Sequence, residues 1–505
     1  MFMTNSTSLL ALCMLLNSTA SFEQAGSLDS TFGGNGKVTT TFGTYGVGNS
    51  VAIQADGKIV VAGSYYNGLN NDFALVRYKS DGKLDSAFGD KFKVSTDFGG
   101  NDVGYSVAIQ ADKKIVVAGS SSKNYGDFAL ARFRQNGKPD SSFGINGKVT
   151  SDFGGGGGGY AVAIQADGKI LVAGSSYNEF ALARYNADGK RDTTFGARGR
   201  VITGFLEYSK ANSVAIQADG KIVVAGSTTD GDEYDYVLAR YNANGELDHG
   251  FGYHGVVVDG GYYSFGFVGK SVAIQPDGRI VMACEYSYAL ERFQPNGRHD
   301  STFGVNGIAR SDAMDGVGSV TIQTDGKILV AGYSLLNGTG DFALVRYKQN
   351  GKVDSTFGTN GNVITDGKNT YDFGNSVAIQ ADGKMVVAGY ASNGLNAAFA
   401  VARYNGDNTS AVNSRKDNFS NRQKQNNAST NIYLSPNPVK DILHIEGLSS
   451  SSRTISILDA KGKLLQQTTT ANRSYSFNVK QLSTGMYFIR IDEGGKTNTL
   501  KFIKE

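Results

Sequence analysis

The sequence predicts an all-β fold: a seven-bladed β-propeller of four-stranded blades, closed by an N-terminal strand and followed by a small C-terminal β-sandwich. Three observations carry this. A unit of an S-V-A-I-Q-like run, D-G, a valine-rich run ending A-G, a variable stretch and an F-A-L-x-R-Y-like run recurs seven times with small variations, anchored by Gln54, Gln110, Gln165, Gln217, Gln275, Gln323 and Gln380. The anchors lie 56, 55, 52, 58, 48 and 57 residues apart, a period that marks stacked repeats rather than one folded core. The chain also has 67 glycines against 5 prolines and no tryptophan, and its many Val, Ile, Tyr and Phe residues suit short strands joined by glycine turns.

The first unit shows the elements in order, with strands expected at 50–54, 58–64, 73–78 and 93–98. Asp56 and Gly57 between the first two read as a two-residue hairpin, and Asp-Gly recurs in six of the seven units, Asp112 and Lys113 being the exception. A four-stranded sheet that is apolar on both faces cannot bury them alone, whereas seven arranged radially bury them against one another. Arg77, Arg132, Arg184, Arg240, Arg292 and Arg346 are followed eight residues later by Asp85, Asp140, Asp192, Asp248, Asp300 and Asp354. Arg403 has no such partner, because position 411 is Ala411. The missing piece, L-D-S-T-F-G with Asp29 and then residues 37–42, stands near the N-terminus and is expected to supply the outer strand of the last blade. Chemistry is rarely repeated sevenfold, so these pairs read as structural ties between a strand and the next turn.

V-A-I-Q-A-D-G-K-I-V-V-A-G and L-D-S-T-F-G, spread over residues 28–404, resemble the delta-60 repeat family and more loosely the NHL type of propeller repeat. The resemblance implies a propeller and no particular activity. The unit around Gln275 departs most, with Pro276 for Ala, Cys284 for Gly, Glu291 before Arg292 and almost no loop ahead of Tyr288.

Residues 405–431 are Asn- and Ser-rich and read as a flexible linker. Beyond them, residues 432–505 offer seven short strand-like runs, including 442–446, 454–458 and 486–492, as a small sandwich would. This segment carries Pro436, Asn437 and Pro438 with Leu443 and Ile445, then L-S-T-G-M-Y with Gly485 and Tyr487, and finally Lys501, Phe502, Ile503 and Lys504. Those residues look like the type A C-terminal sorting domain of the type IX secretion system of Bacteroidetes. The resemblance implies type IX machinery as a partner and a secreted or outer-membrane cell-surface location.

The apolar run at 9–16, followed by Ser18, Thr19 and Ala20, reads as a signal peptide over residues 1–20, although the first basic residue is Lys37. The run is too short to span a bilayer, so no transmembrane segment is expected in the mature chain. Removing it would leave Cys284 without a disulfide partner, since Cys13 is the other cysteine. A net charge of +3 with no basic block gives no reason to expect nucleic acid.

No GxSxG, HExxH, P-loop or CxxC motif occurs. The glycine run 154–159 lies between strands, with no helix N-terminus to hold a phosphate. His249, His254, His299 and His444 lack metal-ligand spacing. Asp230, Asp232, Glu233 and Asp235 form the densest acidic loop and are the one candidate for Ca²⁺, without the ligand order of an EF-hand; otherwise no cofactor is expected. The hairpin turns and the N-G-x-x-D-S-T-F-G turns keep their lengths, while the other two connections vary, so one face reads as structural and the other as diversified. Tyr65, Tyr66, Tyr105, Tyr125, Tyr177, Tyr208, Tyr234, Tyr262 and Tyr263 populate the variable face and are the candidate contacts for an extracellular glycan or protein. The leading expectation is a non-enzymatic binding or adhesion module. A hydrolase or lyase with a Ca²⁺-dependent site at the channel mouth and a purely structural surface protein are the alternatives.

Overall fold

The first two strands of each unit are joined through a five-residue turn, Q-A-D-G-K in the first. Gln54 N–H donates to Lys58 C=O at 2.8 Å and Gly57 N–H to Gln54 C=O at 2.8 Å, enclosing three residues rather than two. Of these, Gly57 alone takes a left-handed φ, +78°. The expected two-residue hairpin, with both central residues left-handed, is therefore corrected. Asp56 Oδ1 accepts the Lys58 N–H at 3.3 Å, which keeps Asp56 right-handed and passes the reversal to the glycine. At the exceptional position Lys113 adopts the same conformation, with φ +70°.

The computed structural model describes residues 24–407 and 433–504, apart from 124–125, 232–233, 260–266, 286–288, 337, 368–370, 436–438, 440, 447, 449–450, 460–462, 473 and 495. The expected signal peptide, linker residues 408–431, Tyr125, Asp232, Glu233, Tyr262, Tyr263, Pro436, Asn437 and Pro438 lie outside the described residues.

Seven four-stranded antiparallel sheets follow one another along the chain. The first blade runs Gly46–Ile53, Ile59–Tyr66, Asn71–Tyr78 and Lys93–Thr96, from the inner to the outer strand. The seventh consists of Tyr371–Ile379, Met385–Ser392 and Ala397–Tyr404, and its outer strand is Lys37–Thr40. Lys37 stands opposite Ala402 and Thr40 opposite Phe399. Asp29 N–H donates to Arg403 C=O at 2.8 Å, and Arg403 N–H to Gly36 C=O at 2.9 Å. The N-terminal strand thus closes the ring.

The core lies between blades, not within them. Phe73, Leu75 and Phe88 of the first blade pack on Val107, Val117 and Ala131 of the second, and an equivalent cluster fills every junction. At the closing junction Phe32, Val386 and Val401 meet Val51, Ile59 and Ala74. Tyrosines latch the same seams, with Tyr78 donating to Thr40 Oγ1 and Tyr404 to Thr365 Oγ1, both at 2.9 Å. The divergent fifth unit still forms a four-stranded blade. Its Glu291 is buried and accepts the Tyr236 hydroxyl of the fourth blade at 2.9 Å.

Asp29 is 1 % exposed and pairs with both Arg403 and Lys384. Burial alone would raise its pKa, but hydrogen bonds from Lys384 and Thr31 and the charge of Arg403 outweigh that and hold the carboxyl at about 2. A folded-state pKa below the unfolded value of about 3.9 gives stability that is present above pH 4 and lost as pH falls toward 2. Melting temperature should therefore be level from pH 7 to 5 and fall below pH 4, with a shallower fall in Asp29→Asn. An identical acid slope in that variant would show that Asp29 is not protonated on unfolding in that window.

The chain divides into two units, Met1–Val412 and Asn413–Glu505. By itself, the second is two sheets sharing one core. Tyr433–Ser435, Ile442–Glu446 and Tyr475–Asn478 form one sheet, while Leu464–Thr470, Arg453–Asp459, Gly485–Glu493 and Lys496–Lys504 form the other. Leu443, Ile445 and Phe477 face Ile455, Ile457, Ile489 and Phe502 across the core. Tyr487 stacks on Phe502 at 5.5 Å and donates its hydroxyl to Ser483 C=O at 2.8 Å. Lys501 and Ile503 lie in the last strand, opposite Phe488 and Met486, and Lys504 is buried. Among the described residues no helix is long and apolar enough to cross a membrane.

Candidate functional site

On the face of the constant turns, each recurring arginine meets its aspartate at 2.7–2.9 Å, Arg403 taking Asp29. Each guanidinium also lies 4.4–4.7 Å from the centre of the phenylalanine ring of the D-S-T-F-G turn. The free arm then crosses to the next blade: Arg132 to Ala187 C=O and Arg184 to Ala243 C=O, each at 2.5 Å, and Arg403 of the last blade to Ser80 C=O of the first. Gln54, Gln110, Gln217, Gln275 and Gln380 accept the same arms through Oε1 at 3.2–3.5 Å. The seventh blade's third strand leads out of the ring, so Arg346 finds no such turn carbonyl. Asp407 replaces it with a two-point ion pair, both oxygens at 2.9 Å, and also binds Lys327 at 2.9 Å. Burial alone would raise Asp140; hydrogen bonds from Ser142 and the charges of Arg132 and Lys114 reverse that and hold it below the usual carboxylate range. With each guanidinium tied to its own aspartate and reaching the next blade, or Asp407 in the case of Arg346, the belt is a clamp between blades.

A second ring surrounds the axis. Each inner strand slips register by one residue midway, at Asn49, Tyr105, Tyr160, Asn212, Lys270, Gly318 and Asn375. A β-bulge of this kind re-aims one side chain. All seven bulged residues line a single axial cavity of about 400 Å³. The flanking small residues exist for close approach: a Cβ on Gly104 would sit 2.8 Å from Gly63 C=O of the preceding blade. The serine after the bulge ties neighbours together, since Ser50, Ser106, Ser213, Ser271 and Ser376 accept the next inner strand's N–H at 3.1–3.2 Å. Those serine oxygens therefore serve the scaffold as acceptors.

The cavity wall is aromatic and basic. Tyr105 and Tyr160 meet edge to face at 5.1 Å, and the Lys210 ammonium sits 4.0 Å over the Tyr160 ring. Tyr333 and Tyr390 flank Phe373 at 4.7 and 5.1 Å. Among the described residues Glu285 is the one carboxylate in the lining, and Lys270 holds it at 3.2 Å. Burial, then the repulsion of Lys270, pushes the Lys210 ammonium below its ordinary pKa.

Of the tyrosines singled out from the sequence, Tyr105 enters this cavity. Tyr65 instead packs on Phe42 at 4.2 Å, and the Tyr66 hydroxyl donates to Gly68 C=O at 3.0 Å. Tyr177, Tyr208 and Tyr234 are exposed and lie outside the cavity lining; Tyr208 and Tyr234 open strands of the fourth blade, on either side of Thr229. Asp230 and Asp235 of the acidic loop are described, while its two central acids are not. Sequence reasoning finds Tyr105 but misses Lys210, Lys270, Glu285 and the bulge that gathers the ring. The available signal is the residue five positions before the anchoring glutamine of each unit, which changes from Asn to Tyr, Lys or Gly inside an otherwise near-constant motif.

A family model described as a domain of unknown function (DUF5122) beta-propeller matches residues 54–88, 110–143, 165–195, 217–251, 323–357 and 380–408. The divergent fifth unit is not among them. A second, described as a secretion system C-terminal sorting domain, matches 431–505. No curated protein matches the sequence. Solved structures similar to the chain include virginiamycin B lyase from Staphylococcus aureus, at 11 % identity and TM-score 0.44, covering 72 % of this chain and 98 % of that one. A protein of unknown function from Bacteroides caccae matches at 14 % identity and TM-score 0.37, covering 61 % and 98 %. PorZ, a surface component of the type IX secretion system of Porphyromonas gingivalis, matches at 11 % identity and TM-score 0.25, covering 91 % and 81 %. The chain is a β-propeller of DUF5122 repeats carrying a type IX sorting domain of the Bacteroidetes kind, and its destination is the cell exterior or the outer-membrane surface.

Proposed function

We propose that this exported propeller is a binding module whose axial channel holds an extracellular glycan, with acidic sugars favoured, and performs no chemistry on it. The observation that carries this is the channel wall. Tyr105, Tyr160, Tyr333, Phe373 and Tyr390 line it with aromatic rings, Lys210 adds a cation, and the one carboxylate among the described residues of the lining, Glu285, is paired with Lys270. Stacking on aromatic faces suits the apolar face of a sugar ring, and an ammonium in a confined channel suits a uronate or sialate carboxylate. Hydrolysis or lysis of a glycosidic bond would call on a placed acid and base, and paired carboxylates are the usual means.

The test is a glycan array followed by titration of the leading oligosaccharide. Tyr160→Ala and Lys210→Ala should each weaken binding about tenfold or more, while melting stays within a few degrees of the parent. Equal affinity in both variants, or turnover of the oligosaccharide by the parent, would overturn the reading.

A further inference from the structure

The junction of the first two blades gathers three carboxylates at one end of neighbouring strands. Asp72 stands near the start of Asn71–Tyr78, Asp97 directly follows Lys93–Thr96, and Asp102 opens Asp102–Ile109. Strand alternation brings all three positions to the face of the variable loops. One oxygen of each lies within 4.8 Å of one oxygen of the other two.

Each carboxylate commits one oxygen to a loop. Asp72 Oδ2 accepts Asn67 Nδ2 at 2.9 Å, Asp97 Oδ1 accepts the Gly99 N–H and Asp102 Oδ2 accepts the Phe98 N–H, the last two at 2.5 Å. Asp72 Oδ1 and Asp102 Oδ1 accept no hydrogen bond, although these residues are 5 % and 0 % exposed. A buried carboxylate oxygen left unpaired is costly, and three like charges at this spacing add repulsion. No ion pair among the described residues reaches the three. The ammonium groups nearby are Lys148, which donates to the Asp97 backbone carbonyl at 2.9 Å, and Lys123, which lies against Gly99. The hydroxyls of Tyr65 and Ser121 hydrogen-bond to Asp72 and Asp102, and their oxygens are neutral donors within reach of a cation.

We infer that Asp72, Asp97 and Asp102 form a divalent-cation site that takes Ca²⁺. The donors are all oxygen, with no imidazole or thiolate, which favours a hard cation over Zn²⁺. They come from a strand and two loop ends, and such irregular geometry suits Ca²⁺ better than Mg²⁺ with its strict octahedron. A bound cation supplies a partner to both orphaned oxygens and fastens the first blade to the second where the ring of guanidinium clamps does not reach. The alternative is a shared proton: burial, then the charges of Asp97 and Asp72, pushes the Asp102 carboxyl upward.

The experiment uses the mature full-length protein, stripped with EDTA and titrated calorimetrically with CaCl₂, with melting followed in parallel. Saturable binding is expected with Kd of about 10⁻⁵–10⁻³ M, and millimolar Ca²⁺ should raise the melting temperature by about 2–5 °C. Asp102→Asn and Asp72→Asn should each lose one equivalent of bound Ca²⁺ together with the melting response that belongs to it. Asp230→Asn should keep both, which separates this site from the acidic loop. A parent without Ca²⁺ response, combined with an Asp102→Asn variant that melts at or above it, would establish the proton and overturn the proposal. Unchanged binding in both Asp72→Asn and Asp102→Asn would overturn it equally.

Discussion

Deleting residues 24–42 opens the ring, and the shortened protein should aggregate or melt far below the full chain. The deletion strips the outer strand from the seventh blade, exposing the edge of Ala397–Tyr404. It removes Phe32 and Phe42 from the junction they share with Val51 and Val401, and it leaves Arg403 buried without Asp29. Losing two core aromatics and one partner of a buried ion pair costs on the order of 10 kcal/mol, as much as the whole stability of a typical domain. Light scattering and thermal melting read the outcome directly. A shortened protein that stays monomeric and melts with the parent would show that the closing strand is dispensable.

Arg132→Ala should cost about 3–5 kcal/mol in chemical denaturation at pH 7, because it strands a buried carboxylate. Arg132 and Asp140 are 2 % and 3 % exposed, and the same guanidinium holds Ala187 C=O of the third blade and packs 4.5 Å from the Phe143 ring. Lys114, 3.5 Å from Asp140, partly replaces the lost charge and pulls the cost toward the lower end. Adding Asp140→Ala should bring a loss smaller than the sum of the two single changes, since the double variant leaves no unpaired charge. Strict additivity would deny the coupling. Normal melting with abolished ligand binding would move Arg132 from scaffold to site.

The ring and its closure are legible because they rest on spacing. The arginine and aspartate recur eight residues apart, and the one aspartate missing near the C-terminal end of the array is present at Asp29. Asp407 is not legible in this way, because it fills in for a turn carbonyl that the last blade alone lacks and so belongs to no repeat. The hairpin is misread for a local reason: Asp56 caps the turn with its own side chain, and a composition rule does not register that choice. The channel residues are hidden for another. Variation is sought in the loops, whereas Asn49, Tyr105, Tyr160, Asn212, Lys270, Gly318 and Asn375 vary inside the most regular strand of the unit. A bulge is backbone geometry, and nothing in the motif announces which residue it turns toward the axis.

The clasp between Asp29 and Arg403 joins groups 374 positions apart along the chain. Hairpins within a blade can form as soon as their few residues are available, but this contact cannot exist before all seven units have been made. Few contacts are as non-local, and non-local closure is what slows folding. During synthesis the segment carrying Asp29 emerges before the seven repeats and is satisfied after them. It spends that interval as a loose strand whose proper edge does not yet exist, next to six units whose third strands resemble that edge. Each chain therefore presents a folding problem of timing as well as of energy, in which premature pairing of the first strand with a near copy of its true partner is the error to be avoided.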